Sequence, residues 1–458
     1  MHASADPAVM GDPVLEAAAE VLTRAGLGAG QHLCCALSGG VDSVVLFEVL
    51  RRLQPVLGFQ LSAAHVHHGL SPHADAWAQA CAVRCAIAGV DLQVLRVTVE
   101  RGQGEGLEAA ARTARHAALD GVACDWLAFG HHQDDQAETL LLRLFRGAGV
   151  RGAAAMASLV AAQGRRRGRL RPLLALRRAQ ILAWAQRNGL CWVEDESNAE
   201  LRFTRNALRH RVLPVVESLF PAAVPALARA SANFAEADTL LAELAALDAR
   251  ACGGMPWRRP HLLALSPARQ ANLLRWQLRE LGGQAPSRAR VDEVLRQLGS
   301  TAADRPLRVA LGHWVCCAYR DQVWLEAEAA RPALACAWRG EAVLPWGDGA
   351  VHFERGSGIG LGLARLEAAQ ALRLAPRRAG LKLQLGPNRP RRDLRKLCQE
   401  AGIPVWMRDR LPVLWADDAP VWVAGIGIAA GWACAADEPG VLPRWQPVRQ
   451  GEGRAPPA

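Results

Sequence analysis

The stretch CCALSGGVDSVVLFEVL, residues 34–50, decides the fold. An apolar run ends in Ser38-Gly39-Gly40, and a second apolar run with helical spacing begins at once. A strand that stops in such a turn and opens directly into a helix gathers backbone N–H groups and the positive helix end at one point, which makes an anion site. Ser38 acting as a plain cap, with Gly39 and Gly40 making the turn, gives the same short pattern. The specific signal is therefore the full set Ser38, Gly39, Gly40, Val41, Asp42 and Ser43. This loop lacks the lysine with which a Walker A loop grips the terminal phosphates of a nucleotide. A lysine-free cradle suits chemistry at the first phosphate, with pyrophosphate as the group that leaves. Asp42 is the odd member, a negative side chain in a loop shaped for a negative ligand. By position alone it is a first-turn acid favoured by the helix dipole.

Around this loop, residues 31–130 alternate short apolar runs (HLCCAL, LSAAHVHH, DLQVLRVTV, DWLAFGHH) with helical patterns such as VVLFEVLRRL and GLEAAARTARHAAL. That alternation predicts βαβ units and a parallel sheet, which binds its ligand beyond the carboxyl ends of the strands. SGGVDS, HVHHGL and GHHQDD each follow a strand, so they are expected to converge in one crevice. In GHHQDDQAETLLLRLFRGAGVRG, residues 130–152, helical spacing predicts His131, Asp135 and Glu138 on one face. An imidazole and two carboxylates so placed suit metal ligation or base-and-orienter chemistry, and equally an acidic, solvated helix start.

The 458 residues, 51% hydrophobic and 21% charged, describe an ordinary globular protein of two or three domains. MHASADPAVMGDP lacks the basic start and apolar core of a signal peptide, and no run approaches a membrane span, so a cytoplasmic location is expected. The 12 cysteines include no C-x-x-C, which argues against zinc, iron–sulfur or disulfide frameworks and for buried free thiols. Net charge is +10, and only Lys382 and Lys396 of the 54 basic residues are lysines. So much arginine suggests a polyanionic partner, although a GC-rich coding sequence produces the same bias.

The expected organisation is an α/β catalytic domain over 1–215, a helical domain over 216–330, and a Gly-, Pro- and Trp-rich linker over 331–370. A small α+β domain over 371–445 and a disordered tail over 446–458 complete it. No internal repeat is visible.

SGGVDS resembles the pyrophosphate loop of the N-type ATP pyrophosphatases, the PP-loop superfamily. The GHHQDD block followed by AMAS resembles the signature of the tRNA(Ile)-lysidine synthetases within it. HVHHGLSPHAD (65–75), EAAARTARHAAL (108–119), RPLL (171–174), WVEDESNAELRFTRNALRHRVLP (192–214) and RRAGLKLQLGPNRPRRDLRKLCQEAGIPVWMRDRLPVLW (377–415) follow in family order. The likeness is weakest between about 220 and 370, and His116 stands where the family pattern has a tyrosine.

This resemblance implies an enzyme that uses ATP and Mg²⁺ to join the side-chain amine of free lysine to C2 of the wobble cytidine of an isoleucine tRNA with a CAU anticodon. An adenylated cytidine is the implied intermediate, and AMP and pyrophosphate are released. Asp42 is implied to act through Mg²⁺, with Asp135 and Glu138 as further metal candidates. Arg112 or Arg115 offsets charge at the α-phosphate, and spacing alone does not choose between them. His131 and Asp135 are candidates for freeing the protonated amine of lysine, which a desolvated pocket also does. The basic loop 164–171 and Arg205, Arg209, Arg389, Arg391, Arg392 and Arg395 are candidate tRNA contacts. No membrane or protein partner is expected. The nearest alternative is another PP-loop tRNA-modifying enzyme such as a tRNA thiolase, which would want a cysteine pair near the site. Cys34 and Cys35 fall instead inside the strand before the loop.

Overall fold

The computed structural model describes residues 11–99, 107–162, 167–196, 200, 203–284, 286–328 and 333–447. The expected tail at 446–458 lies outside these residues beyond Pro447, as do 164–166 of the basic loop. The chain divides into two compact units, Met1–Leu240 and Leu241–Ala458.

The first unit begins with α1 (Pro13–Arg24), whose cap Asp12 accepts from the Val14 amide at 2.9 Å and from Trp184 Nε1 at 2.7 Å. The series continues with β1 (His32–Ala36), α2 (Val41–Leu57), β2 (Gln60–His67), α3 (Ala74–Ala88), β3 (Asp91–Arg96), α4 (Leu107–Asp120), β4 (Trp126–Ala128) and α5 (Gln133–Phe145). Next come α6 (Val150–Ala153), β5 (Leu159–Val160), β6 (Gly168–Leu170), α7 (Arg178–Arg187), α8 (Thr204–Ala207), a π-helical turn Leu208–Val212 and α9 (Leu213–Leu219). The long helix α10 (Ala223–Ala251) runs through the division between the units.

The sheet order is β3-β2-β1-β4-β6-β5, parallel except for the edge strand β5. β1 is central, and Leu33, Cys34 and Cys35 are fully buried because helices cover both faces. The strand order reverses between β1 and β4, so the crevice at their carboxyl ends is the switch point of the fold. The expected boundary at 215 falls inside this unit's packing. Leu213 of α9 and Val224 of α10 bury against Ala137 of α5, so that apolar seam extends the unit into α10.

The second unit carries β7 (Trp257–Arg258), α11 (Arg259–Ala264), α12 (Pro267–Glu280), α13 (Arg288–Ser300), β8 (Leu307–Leu311), β9 (Trp314–Tyr319) and β10 (Gln322–Ala327). The helical region is thus backed by an antiparallel sheet, β7-β10-β9-β8, over Trp257, Leu273, Val291 and Cys316.

Residues expected to be a linker, 331–370, instead hold β11 (Cys336–Ala337), β12 (Val343–Trp346), β13 (Gly349–Ser357), β14 (Leu361–Gly362) and α14 (Leu363–Glu367). After them come β15 (Leu372–Ala375), β16 (Lys382–Leu383), β17 (Arg392–Asp393), α15 (Leu394–Glu400), α16 (Val405–Arg408), β18 (Val413–Ala416), β19 (Ala419–Val423), β20 (Gly427–Ile428) and β21 (Pro439–Pro447). β12 and β13 form a tight hairpin through Gly347-Asp348, and β13 then pairs along its whole length with β21, so Trp346, Val351 and Phe353 belong to the core of this region. No single described helix is long and apolar enough to cross a membrane.

Candidate active site

The loop after β1 is shaped by its own hydroxyls. Ser43 Oγ accepts from the amides of Ser38 and Gly39, both at 3.1 Å, and from Ser38 Oγ at 3.0 Å, and it donates to the Gly40 carbonyl at 2.9 Å. Gly39 takes φ +94°, where a Cβ would also stand 2.9 Å from Val193 Cγ2, so only glycine fits. The Val193 amide donates to the Gly39 carbonyl and pins the loop from the far side. Gly40 caps α2 through its backbone alone, which leaves the first amides of the helix, those of Val41 and Asp42 included, directed at the crevice. This is a preformed anion cradle.

Gly130, after β4, brings the GHHQDD segment against this cradle. A Cβ there would lie 2.8 Å from the Asp42 carbonyl oxygen, so the backbone after β4 touches the first turn of α2. Helix α5 begins only at Gln133, and His132, fully buried, is its cap. The His132 amide donates to Asp135 Oδ2 at 3.0 Å, while the Asp135 amide points at His132 Nδ1 across a long 3.4 Å. His131 therefore lies ahead of the helix and not on the face expected from i,i+4 spacing.

The two imidazoles differ in chemistry. Burial lowers the pKa of His132, but Asp134, Asp135 and Asp42 outweigh it and hold the ring above the ordinary histidine value. Its Nε2 is 3.4 Å from Asp135 Oδ2 and 3.7 Å from Asp42 Oδ2. For His131 burial wins over the pull of Asp135, with Arg171, Arg205 and Arg115 adding to the loss, and the pKa falls to about 3. A ring held that low is a weak base, so the expected proton acceptor is a neutral hydrogen-bonding group.

Asp135 and Glu138 do share a face, but two arginines engage them. Arg205 and Arg209 are i,i+4 neighbours on α8 and the π-helical turn. Arg205 gives Nε to Glu138 Oε2 at 2.6 Å and Nη2 to Asp135 Oδ1 at 2.8 Å, and Arg209 gives Nε to Glu138 Oε1 at 2.6 Å and Nη2 to Asp135 Oδ1 at 3.1 Å. Glu138 is fully buried and both its oxygens are held by arginines, so a metal there would have to compete with those contacts. Arg205 and Arg209, expected at the tRNA, are thus committed to this ion cluster.

Asp42 is different. Its Oδ1 is buried without a hydrogen-bond partner, and burial raises its pKa against the pull of His132, Arg178 and Arg209. A desolvated carboxylate oxygen with nothing to meet it fits a divalent cation. Among the described residues no group of three or more His, Cys, Asp or Glu side chains is arranged to hold a metal. Mg²⁺ needs no such cage, because it binds through one or two carboxylates with substrate phosphates and water completing its shell. Asp42 and, beside it, Asp135 Oδ2 suit that mode; Glu138 does not.

The cations come from α4 and from the segment after β6. Arg112 is exposed. Arg115 is deeper, with a buried, unpartnered Nε, and burial together with Arg112 and Arg205 lowers its pKa. The ring of His116 packs 6.0 Å from Phe129 with Nδ1 buried and unpartnered, and burial, with Arg115 and Arg112 adding to it, lowers its pKa to about 4. Burial lowers the pKa of His68, just past β2, with His67 and Arg115 adding to the loss against the opposing pull of Asp195. In the second unit, Arg389, Arg391 and Arg395 are exposed around the β16–β17 hairpin and make no side-chain ion pair among the described residues, whereas Arg392 is engaged by Glu400 at 2.5 and 2.8 Å.

His132 was the residue that sequence reasoning missed, and Arg171, expected with the basic loop 164–171 at the tRNA, instead follows strand β6 and donates to His131 Nδ1 and the Ala157 carbonyl. The signal for His132 was the spacing to Asp135, which is that of a capping box with histidine in the place of serine.

A parallel sheet with a lysine-free phosphate loop at its switch point and an uncommitted loop carboxylate defines a PP-loop ATP-pyrophosphatase domain. Residues 15–216 match the PP-loop domain family, 258–324 the TilS substrate binding domain and 372–445 the TilS substrate C-terminal domain. The chain is 56% identical to a tRNA(Ile)-lysidine synthase of Azoarcus sp. over 94% of this chain and 95% of that one. It is 54% identical to that of Aromatoleum aromaticum, over 93% of this chain and 100% of that one. The chain belongs to the tRNA(Ile)-lysidine synthase family.

Proposed function

We propose that this enzyme makes lysidine, joining the side-chain amine of free lysine to C2 of the wobble cytidine of a tRNA(Ile) with a CAU anticodon, at the expense of ATP, in the cytoplasm. The observation that carries the reading is the buried, unpartnered Oδ1 of Asp42 inside a phosphate loop that has no lysine. That combination favours attack at the α-phosphate with pyrophosphate retained in the loop. Cytidine O2 attacks the α-phosphorus, and the departing pyrophosphate is received by the backbone amides at the start of α2. Mg²⁺, held by Asp42 with Asp135 beside it, would offset charge on the phosphate oxygens. Arg115 is favoured over Arg112 for the α-phosphate, because its guanidinium is the more buried and carries a free Nε.

The lysine amine must reach C2 unprotonated. With His131 too weak a base, desolvation and the unmatched charge of Arg115 are what depress its pKa in the site, since Arg205 and Arg209 are matched by Asp135 and Glu138. Recognition of the rest of the tRNA falls to the second unit, where Arg389, Arg391 and Arg395 offer uncommitted charge and Arg392 offers little. Incubation of the purified protein with labelled lysine, ATP and tRNA transcripts tests the whole reading. Label should enter tRNA(Ile) with CAU and spare the methionine tRNA of the same anticodon, and Asp42→Asn should stop AMP formation while tRNA binding stays within a few fold. Transfer of sulfur in place of lysine would establish the thiolase alternative.

A further inference from the structure

Phe129, His131 and Arg171 form a small stacked assembly at the carboxyl end of β4 that the reaction scheme has not used. The rings of Phe129 and His131 stack at 5.8 Å with 26° between their planes, and the Arg171 guanidinium lies over Phe129 at 5.9 Å. Arg171 Nη1 donates to the Ala157 carbonyl at 2.7 Å, which anchors the side chain, and Nε donates to His131 Nδ1 at 3.3 Å. A guanidinium has donors and no acceptor, so Nδ1 must present a lone pair to it. The ring proton then sits on Nε2, on the opposite edge.

We propose that Arg171 is a positioning residue which fixes His131 as a neutral imidazole with its proton on Nε2, and that this N–H is donated to N3 of the target cytidine. The proposal rests on the lysidine reading and adds to it a contact with the reacting base. When the amine attacks C2 of the adenylated cytidine, a C–N bond forms and the electron pair of the C2–N3 bond moves onto N3. It returns as the C2–O2 bond breaks and O2 leaves as a phosphate oxygen of AMP, and the proton lost by the attacking amine passes to that departing phosphate. A fixed donor at N3 stabilises the charge carried there between the two events. A protonated imidazole could not accept from Arg171, and a ring with its proton on Nδ1 would clash with it, so one tautomer is selected. The charged groups around the ring are Asp135 from α5, Arg115 from α4, Arg205 from α8 and Arg171 itself; the cations together with burial keep the ring neutral against Asp135.

The test uses full-length protein labelled with ¹⁵N-histidine, with the His131 signal assigned by its loss in His131→Gln. The expected wild-type spectrum is a neutral Nε2–H imidazole that does not titrate between about pH 5.5 and 8. Arg171→Lys keeps a cation that can reach the Ala157 carbonyl but offers no fixed N–H to Nδ1. It should give mixed tautomers and lower kcat for lysine transfer about tenfold, with KM for ATP unchanged. His131→Asn should lose at least as much, and His131→Gln, whose amide nitrogen falls near the Nε2 position, should recover most of it. A single Nε2–H tautomer persisting in Arg171→Lys would overturn the positioning role, and equal activity of His131→Asn and His131→Gln would overturn the donor role. A wild-type enzyme that transfers no lysine, whatever its spectrum, sinks the lysidine reading and this contact with it.

Discussion

Replacing Glu138 by glutamine should be among the most damaging single-atom exchanges in the first unit. The carboxylate is fully buried and receives Arg205 Nε and Arg209 Nε, each at 2.6 Å, with Arg209 Nη2 at 3.1 Å. An amide keeps one acceptor but turns an N–H donor toward a guanidinium that has only donors, and it leaves two cations facing one remaining carboxylate, Asp135. Breaking a buried pair by removing one partner costs about 3–5 kcal/mol. The arginine side chains keep 20% and 24% of their exposure, so water screens part of the loss and the lower end, about 3 kcal/mol, applies. For a unit of this size that is a fall of roughly 6–12 °C in the first thermal transition. Calorimetry on wild type, Glu138→Gln, Arg209→Leu and the double variant separates the terms. The double variant should be more stable than Glu138→Gln alone, because the uncompensated cation has gone with its partner. A Glu138→Gln protein that unfolds within about 0.5 kcal/mol of wild type would refute the view that this cluster holds the floor of the site.

Three other outcomes follow from particular contacts. Gly130→Ala places a Cβ 2.8 Å from the Asp42 carbonyl, so it should cost about 1–3 kcal/mol and more than tenfold in ATP turnover, measured by AMP release. His131 and His116, held at about 3 and about 4, favour the native state only while neutral; their contribution is complete above pH 6.5 and is lost as pH falls toward those values. His131 alone should therefore give about 1.4 kcal/mol per pH unit below pH 6, a slope that urea titrations should find missing in His131→Gln. His132, raised in pKa, keeps its full contribution on that side and does not offset the loss. In the second unit, neutralising Arg389, Arg391 and Arg395 should lower the salt slope of tRNA binding by up to about 0.7–0.9 per arginine, and neutralising Arg392 by less, since Glu400 already engages it.

The α/β domain was legible because its signals are local. Period, turn glycines and the step from strand to helix at Ser38–Val41 all lie within a few residues, and β1, α2 and the convergence of three strand ends follow from them. What was not legible depends on distant partners. The strands between 343 and 362 form one sheet with β21, about ninety residues on from β13, and bury their apolar faces through that distant pairing. Only the Gly347-Asp348 turn between Trp346 and Gly349 was a local cue to a hairpin. In the site, helical spacing placed Asp135 and Glu138 on one face correctly but could not foresee that Arg205 and Arg209 would occupy them. It also began the helix too early, because histidine is not an expected cap, and so read His131 as part of the face that belongs to His132's helix.

The placing of opposite charges also says which oxygen was left for the ligand. Asp134 is bound by Arg177 and the Arg178 amide, Asp135 by Arg205, Arg209 and the His132 amide, and Glu138 by both arginines of the cluster. Each of these is stabilised with no ligand present. Asp42 has no such partner on Oδ1, and Arg115 has none on Nε. A site with one desolvated anion and one desolvated cation left unmatched is complementary to a ligand bearing both signs, a metal ion and the phosphates it bridges. Neutralising both by Asp42→Asn with Arg115→Met should then raise the stability of the free protein while abolishing ATP turnover, as expected where burial strain is kept for binding. A double variant less stable than wild type would mean that these two groups support the fold and are not reserved for the ligand.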